Sequence, residues 1–227
     1  MAAVSWSVIE PWFASGLRPE ARSWWTGAVA SARTGGLGDD RFAAGWSGAG
    51  RRLGRAPVAV DAAAAEALRK AGAAFMPSGW GADEVGRALL LLAAAEATAD
   101  PERVPAAVDE LFRLGEMREQ QAVLRVLSFL PQPAQYVALA ADAVRTNVVS
   151  VLEAIACENP FPAAHVPEPA FNQLVMKCLF NGVALPRVVG LAGRNNQELR
   201  RIVGDYVSER RAAGRPVPGD VDLILTT

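Results

Sequence analysis

The chain has 227 residues, 51% of them hydrophobic, and its 23 Lys and Arg residues nearly balance 24 Asp and Glu residues, so that the formal net charge is −1. This length is sufficient to bury a core of layered helices within one domain. A net charge near zero supplies no field that would hold the protein to a polyanion, so we expect no nucleic-acid partner. The longest apolar run, residues 88–95, is far shorter than the roughly 20 residues of a membrane-spanning helix.

Cysteine usage and the N-terminal residues indicate the compartment. Cys157 and Cys178 both fall within apolar helical patterns, where a free thiol packs as a small hydrophobic group. The first basic residue is Arg18, and no basic segment leads into an apolar one before it. These features argue against a signal peptide and predict a cytoplasmic protein without a membrane span.

The first 80 residues form a Trp- and Gly-rich part. The spacing predicts helices at about residues 5–14, 19–33, 40–53 and 61–74, and Asp39 with Asp40 is typical of a helix N-terminal cap. All six tryptophans lie in this part: Trp6, Trp12, Trp24, Trp25, Trp46 and Trp80. Core packing is the simplest interpretation, and a homodimer contact or the wall of a hydrophobic ligand pocket are the alternatives.

Beyond residue 100, apolar residues recur with helical spacing. Helices are predicted at about residues 104–114, 117–130, 133–146, 147–157, 167–180 and 196–213. Three of them show apolar stripes: Phe171, Leu174, Val175, Cys178 and Leu179; Leu199, Ile202, Val203, Tyr206 and Val207; and Val148, Val151, Leu152 and Ile155. The loops are short, which favours antiparallel neighbours. We therefore predict an all-α fold of stacked antiparallel helical hairpins resembling a HEAT-like α-solenoid, with residues 1–80 and 81–227 packed as a single domain.

Several chemistries are disfavoured by composition. One histidine, with no CxxC or HExxH pattern, argues against a zinc site or a histidine-dependent hydrolase. His165 is interpreted as a solvated residue of the loop 162–167. The glycine-rich segments lack the Lys and hydroxyl residue of a phosphate-binding loop, and no helix carries an aspartate-rich magnesium motif. We predict neither a metal nor a cofactor.

One polar constellation predicts a binding groove between two helices. Glu153 flanks an apolar stripe, Asn172 adjoins another, and Lys177 lies on the same helix as Asn172, so a groove would present carboxylate, amide and ammonium groups together. In the alternative interpretation, these groups cap and cross-link a helical hairpin at a Pro-rich turn. The further candidate ligand-binding residues are Arg145, Asn147, Asn159, Arg187, Tyr206 and Arg210, with Arg210 four residues after Tyr206.

The stretch from residue 115 to 216 resembles the EboA family of small bacterial proteins. The resemblance depends on the order and spacing of several patterns: Arg118-Glu119-Gln120; Leu124-Arg125; Leu130-Pro131; Arg145-Thr146-Asn147-Val148; the segment from Glu153 to Pro162; the segment from Ala170 to Val175; Lys177; Arg187; Asn196; Tyr206; Glu209-Arg210; and Ala213-Gly214-Arg215-Pro216. It implies a place in a specialised-metabolite biosynthesis or export pathway, with a small-molecule metabolite or pathway proteins as partners.

Three functional hypotheses are compatible with these observations. The first is a helical protein that binds a metabolite or a partner protein in such a pathway, since curved helical stacks expose concave surfaces. The second is a metal-free cyclase or isomerase acting on a hydrophobic intermediate, with Glu153 as acid or base and Arg145, Lys177 or Arg187 holding an anionic group. The third is an oligomeric scaffold whose Trp-rich part is the contact surface.

Overall fold

The computed structural model describes residues 6–226, and this part of the chain is helical. No β-strand occurs within it, and only two isolated bridges do, Pro57 with Gly81 and Cys157 with Val188. The prediction of an all-α fold is confirmed. Residues 1–5 and 227 lie outside the described range. They include residue 5, where the first helix was predicted to begin, and the outer ends of the two predicted parts, 1–80 and 81–227.

The chain divides into two compact units, residues 1–133 and 134–227. Residue 80, where we placed the end of the Trp- and Gly-rich part, lies inside the first unit. Packing of the whole chain as one domain and the solenoid-like order of the hairpins stay predictions.

The first unit is built around one buried helix. Helix α5 packs against α2, α3 and α7, and α2 also packs against α1 and α3. The helices of this unit are α1 (Ile9–Ser15), α2 (Pro19–Gly35), α3 (Asp40–Leu53), α4 (Ala62–Lys70), α5 (Ala82–Ala97), α6 (Val104–Leu114) and α7 (Met117–Val126). Short 3-10 turns at Pro101–Arg103 and Leu127–Phe129 precede α6 and follow α7.

Helix α5 was not among the predicted helices. Its residues from Asp83 to Ala95 are all buried, and those from Ala88 to Ala95 are all apolar, so this part of the helix has no polar face. Such a helix lacks the single apolar stripe that identifies an amphipathic helix, although full burial is what an all-round apolar helix requires. The apolar run at residues 88–95, which is too short to span a membrane, therefore belongs to the central helix of the first unit.

The tryptophans pack mainly inside the first unit. Trp6, Trp25, Trp46 and Trp80 are buried, and the indole N–H groups of Trp6 and Trp25 donate to Glu96 at 2.6 Å and Glu10 at 3.2 Å. Core packing thus accounts for these four, in agreement with the simplest interpretation. The homodimer stays a prediction.

The second unit is built from helices that contact one another through their buried stripes. Helices α8, α9 and α11 contact one another, α11 contacts α13, and α13 contacts α14. The elements are α8 (Val137–Val144), α9 (Val149–Ala156), α10 (Phe161–His165), α11 (Glu168–Asn181), α12 (Leu191–Arg194), α13 (Gln197–Ala212) and α14 (Asp222–Leu225), with 3-10 turns at Pro133–Tyr136, Leu185–Arg187 and Gly219–Val221.

Most differences from the predicted helices lie at their ends. The helix predicted at 117–130 is α-helical only to Val126, and the one predicted at 133–146 begins with a 3-10 turn. Val148, assigned to an apolar stripe, is the 44% exposed N-cap of α9. His165 is not in a loop: it is the last residue of α10, partly buried, with its ring 4.9 Å from that of Phe161. The predicted cap at Asp39 is confirmed, since its carboxylate accepts from the Arg41 N–H at 2.7 Å.

Candidate functional site

Glu153, the predicted acid or base, lies in an ion-pair cluster in the second unit. Arg187 donates to Glu153 Oε1 from Nη1 at 2.6 Å and to both oxygens of Glu158 from Nε and Nη2, at 2.8 and 3.0 Å. The hydrogen bonds with Glu158 raise the pKa of Arg187, burial opposes them, and the bond with Glu153 adds to the increase. Glu158 has a φ of 51°, which is uncommon for a residue with a side chain, and its N–H donates to the Arg187 carbonyl at 2.8 Å. The structure therefore brings the predicted residues Glu153 and Arg187 together.

The other two groups of the predicted groove have separate partners. Lys177 Nζ donates to the Thr146 carbonyl at 2.6 Å. The buried Asn172 exchanges amide hydrogen bonds of 3.3 and 2.9 Å with Asn196, which also caps α13. Glu153, Asn172 and Lys177 thus cross-link three different pairs of segments. A shared pocket for the three stays a prediction.

Two of the remaining predicted residues are surface groups, and one is a turn residue. Arg145 donates to Asp142 at 2.6 Å as an exposed pair, and Asn147 is exposed between α8 and α9. Asn159 is buried, where its amide donates to the Ala154 carbonyl at 2.9 Å and its oxygen accepts from the Phe161 N–H at 3.0 Å. The bonds of Asn159 fix the turn that leads into α10.

Tyr206 and Arg210 stack on α13. The buried Tyr206 hydroxyl donates to the Leu179 carbonyl at 3.5 Å, and the Arg210 guanidinium lies 5.4 Å from the Tyr206 ring centroid. Arg210 also donates to the Pro216 carbonyl at 2.6 Å. These contacts fasten the segment that follows α13 to the helix itself.

We expect the Glu153→Gln variant to unfold within about 1 kcal/mol of the wild type, because a partly exposed ion pair contributes little to stability. The Glu153 side chain is 33% exposed, and Arg187 keeps its bidentate pair with Glu158 in the variant. Urea denaturation measures the difference, with Arg145→Gln as an exposed control. A loss several times larger would show that Glu153 is a structural residue, which argues against its use as an acid or base.

A charged cluster in the first unit was not predicted from the sequence. Asp83, Glu84 and Arg87 are at most 6% exposed, although they lie in the first turns of the apolar helix α5. Asp83 and Arg87 are one helical turn apart and pair at 3.0 Å. Arg87 also donates to the Trp46 carbonyl at 3.1 Å and lies 3.4 Å from Glu119. All three sides of the Arg87 guanidinium are therefore occupied, and its position is fixed.

Arg118, on α7, completes this cluster from another helix. Its Nε donates to Asp83 Oδ2 at 2.7 Å, its Nη2 donates to Asp83 Oδ1, and its Nη1 lies 3.9 Å from Glu84. Glu84 caps α5 by accepting from the Gly81 N–H at 2.8 Å. A side chain at Gly81 would occupy the space of the Arg118 guanidinium, so glycine is required for this close approach. We name Asp83, Glu84, Arg87, Arg118 and Glu119 the buried charge network.

Opposing effects act on the carboxyl of Asp83. Burial by itself raises the pKa of Asp83, but the hydrogen bonds and charge of Arg118, with the charge of Arg87, outweigh burial and lower the pKa below its ordinary value. The hydrogen bond to Asp83 correspondingly raises the pKa of Arg118. Asp83 is therefore ionised at neutral pH and is shared between two guanidinium groups.

An open polar cavity of about 520 Å³ adjoins the buried charge network, and we name it the arginine cavity. Its lining residues are Ser47, Gly50, Arg51, Arg55, Arg87, Glu116 and Glu119. Arg51 lies in the last turn of α3, and Arg55 follows Gly54, whose φ of 80° ends the helix in a conformation that favours glycine. Within residues 6–226, no hydrogen bond or ion pair engages the side chain of Arg51 or Arg55.

The two acidic lining residues are already engaged. Glu116 and Glu119 form the capping box of α7, in which Glu119 Oε2 accepts from the Glu116 N–H at 3.1 Å. Glu119 Oε1 faces Arg87. Three arginines and two glutamates line the cavity, which gives it a formal charge of +1, and the two arginines without a protein partner in the described part of the chain are Arg51 and Arg55.

Two further cavities in the first unit differ from the arginine cavity in being mainly apolar. One, of about 340 Å³, shares Ser47 and Glu119 with the arginine cavity, and the other, of about 370 Å³, lies beside Trp12, Phe13 and Val58. Their sizes fall at the lower end of the roughly 300–1,000 Å³ of small-molecule pockets.

No group of three or more His, Cys, Asp or Glu side chains within residues 6–226 is arranged to hold a metal ion.

Over the same range, no helix combines the length and the apolar character needed to cross a bilayer.

The buried charge network had a partial sequence signal. Asp83, Glu84 and Arg87 interrupt an otherwise apolar segment, and charged residues in such a segment need partners. The partners Arg118 and Glu119 belong to the patterns of the family resemblance, which do not connect them with Asp83 or Arg87. The 35-residue separation of Arg118 from Asp83 explains why local spacing did not connect them.

The family of the chain is indicated by its similarity to a known protein family. No curated protein and no solved structure matches it significantly. The family model described as "Metabolite traffic protein EboA" matches residues 6–224. This match includes residues 6–80, where the sequence patterns alone showed little resemblance. The chain therefore belongs to the EboA family of metabolite traffic proteins.

Proposed function

We propose that this chain is a non-catalytic, metabolite-binding protein that holds an anionic metabolite in the arginine cavity during metabolite traffic. The observation that carries the proposal is the pair Arg51 and Arg55, two residues that line a cavity of about 520 Å³ and have no ion-pair partner among the described residues. The family description supports a metabolite-related role.

The chemistry of arginine favours an anionic ligand. A guanidinium presents its N–H groups as a planar fork that matches carboxylate or phosphate oxygens, and such charge-assisted hydrogen bonds are about twice as strong as neutral ones. Arg87 is held by Asp83, Glu119 and the Trp46 carbonyl, so one wall of the cavity is preorganised. Preorganisation reduces the entropy lost when a ligand binds.

This proposal places the ligand in the first unit instead of the groove predicted around Glu153. In the second unit, Glu153, Asn172 and Lys177 are each engaged by a protein partner. In the first unit, a cavity and cationic side chains without such partners coincide. An enzymatic role for Glu153, a partner-protein surface and an oligomeric scaffold stay hypotheses.

Inorganic pyrophosphate is a suitable probe for the arginine cavity. We expect isothermal titration calorimetry to show binding to the wild type and at least about a tenfold weaker affinity for the double variant Arg51→Gln/Arg55→Gln, because each lost charge-assisted hydrogen bond is worth about 1.5–3 kcal/mol. Native mass spectrometry of freshly purified protein would test for a co-purifying anionic metabolite.

The matched control is Arg211→Gln/Arg215→Gln, which removes the same charge from exposed positions in the second unit. Its affinity for pyrophosphate should equal that of the wild type. If both double variants lost the same affinity for pyrophosphate, the binding would reflect general charge attraction and not a specific site. No binding to the wild type, together with the absence of a co-purified ligand, would contradict the proposed function.

A further inference from the structure

The apolar cavity next to the arginine cavity forms an amphipathic site together with it. We name this cavity of about 340 Å³ the apolar groove; it lies between α3 and α6. Its residues are Leu37, Phe42, Ala43, Trp46, Ser47, Ala107, Glu110, Leu111, Leu114, Gly115 and Glu119. Leu114, one of these residues, is 79% exposed, so apolar surface is available to a ligand at this position.

The apolar groove and the arginine cavity share a wall. Both are lined by Ser47 and Glu119. Trp46 contributes its side chain to the groove, while its carbonyl accepts from Arg87 and its ring centroid lies 5.9 Å from the Arg87 guanidinium. The two cavities therefore adjoin at Ser47 and Glu119.

We propose that the metabolite is a soluble amphiphile, whose anionic head group binds Arg51 and Arg55 and whose hydrocarbon part lies in the apolar groove against Trp46, Leu111 and Leu114. This inference rests on the proposed function and names its substrate class. An anionic head group is favoured because the two lining side chains without a partner among the residues that the structure describes, Arg51 and Arg55, are both cations. Burial of apolar surface selects the tail, since each Å² removed from water is favourable.

The dimensions of the site favour a single small molecule. Each cavity is within or near the range of metabolite pockets, and the groove ends beside charged residues of the arginine cavity rather than continuing as an apolar surface. A protein partner typically needs a broad interface of more than about 1,000 Å². The concave, two-part site instead matches one head group joined to one tail.

A series of alkyl phosphates tests the inference on the full-length protein. Inorganic phosphate, butyl phosphate, octyl phosphate and dodecyl phosphate share the anionic head and differ only in apolar length. Below their micellar concentrations, we expect the affinity measured by calorimetry to rise about threefold to fourfold for each CH₂ buried, until the groove is filled.

The variant Leu114→Gln separates the tail site from the head site. Because Leu114 is 79% exposed, the substitution should leave the thermal midpoint nearly unchanged. It should weaken dodecyl phosphate binding several-fold and leave pyrophosphate binding unchanged. Leu223→Gln, at a 44% exposed leucine of the second unit, is the matched control and should change neither affinity.

The possible outcomes distinguish this inference from the proposed function. If affinity does not depend on alkyl length, but pyrophosphate binding is still weakened by substitution of Arg51 and Arg55, the inference of an amphiphilic ligand is overturned. The proposed anion-binding function then remains in place. If neither pyrophosphate nor any alkyl phosphate binds, both proposals fall. Co-sedimentation with phosphatidylglycerol vesicles, without saturable binding of monomeric alkyl phosphates, would assign the site to a membrane surface and overturn the soluble ligand.

Discussion

The Asp83→Ala variant is expected to lose about 3 kcal/mol or more of its free energy of unfolding, because removing one partner of a buried ion pair leaves the other charge without compensation. Asp83 is 0% exposed and accepts hydrogen bonds from both Arg87 and Arg118. Arg118 is 24% exposed and can recover some solvation, so we place the loss at the lower end of the range for buried pairs. Urea denaturation followed by circular dichroism measures it.

The control is Asp205→Ala, which removes an exposed partner of Arg201 on α13. Surface pairs of this kind contribute little, so its unfolding midpoint should match that of the wild type. A comparable midpoint for the Asp83 variant as well would mean that the buried charge network does not stabilise the first unit.

The pH dependence of the same residue gives an independent check. The lowered pKa of Asp83 means that its stabilising contribution is present above the unfolded value near 3.8 and is lost as the pH falls through the folded value. The difference in unfolding free energy between the wild type and Asp83→Asn should therefore be constant near neutral pH and shrink below about pH 4. If the difference in unfolding free energy grew on acidification, the pKa of Asp83 would be raised in the folded protein, which contradicts the prediction.

The Leu90→Ala variant is expected to lose roughly 2–5 kcal/mol, the range for removing a buried leucine and leaving a cavity. Leu90 is 0% exposed in the middle of α5, which contacts α2, α3 and α7. The close packing of α5 is also evident at Gly86, where any side chain would overlap Leu53. Thermal and urea denaturation would both record the loss.

Leu114→Ala is the matched control, since the same atoms are removed from a leucine that is 79% exposed. Its free energy of unfolding should stay within about 0.5 kcal/mol of the wild type. If the two variants were equally stable, α5 would not be the centre of the first unit's core.

The buried charge network holds side chains at the wall of the proposed site in fixed positions. Replacing a buried ion pair by apolar residues is often neutral or stabilising, so such a network is not needed for the helices to pack. Its consequence for the proposed site is to fix Arg87 and Glu119 at the wall of the arginine cavity. The network and the cavity therefore belong to one functional description, in which rigidity at the wall supports ligand binding.

Local sequence determined most helices of this protein. The stripe Phe171, Leu174, Val175, Cys178 and Leu179 is fully buried, and the predicted helices at 40–53 and 104–114 have those same bounds in the structure. Amphipathic spacing and caps such as Asp39 act within one or two helical turns, so neighbouring residues suffice to specify them. Helix α5 was missed because its residues from Ala88 to Ala95 are apolar on every side of the helix and form no single stripe.

The candidate site, by contrast, depends on tertiary structure. Its polar residues come from α3 and the segment that follows it, from α5, and from α7 with its N-cap, and Asp83 meets Arg118 across 35 positions of the chain. Which charged side chains keep a partner, and which remain available to a ligand, is decided only when those helices pack. Sequence by itself therefore determined the all-α class and the buried stripes, which are local properties; the arginine cavity required the folded first unit, because a cavity is the space that distant segments leave between them.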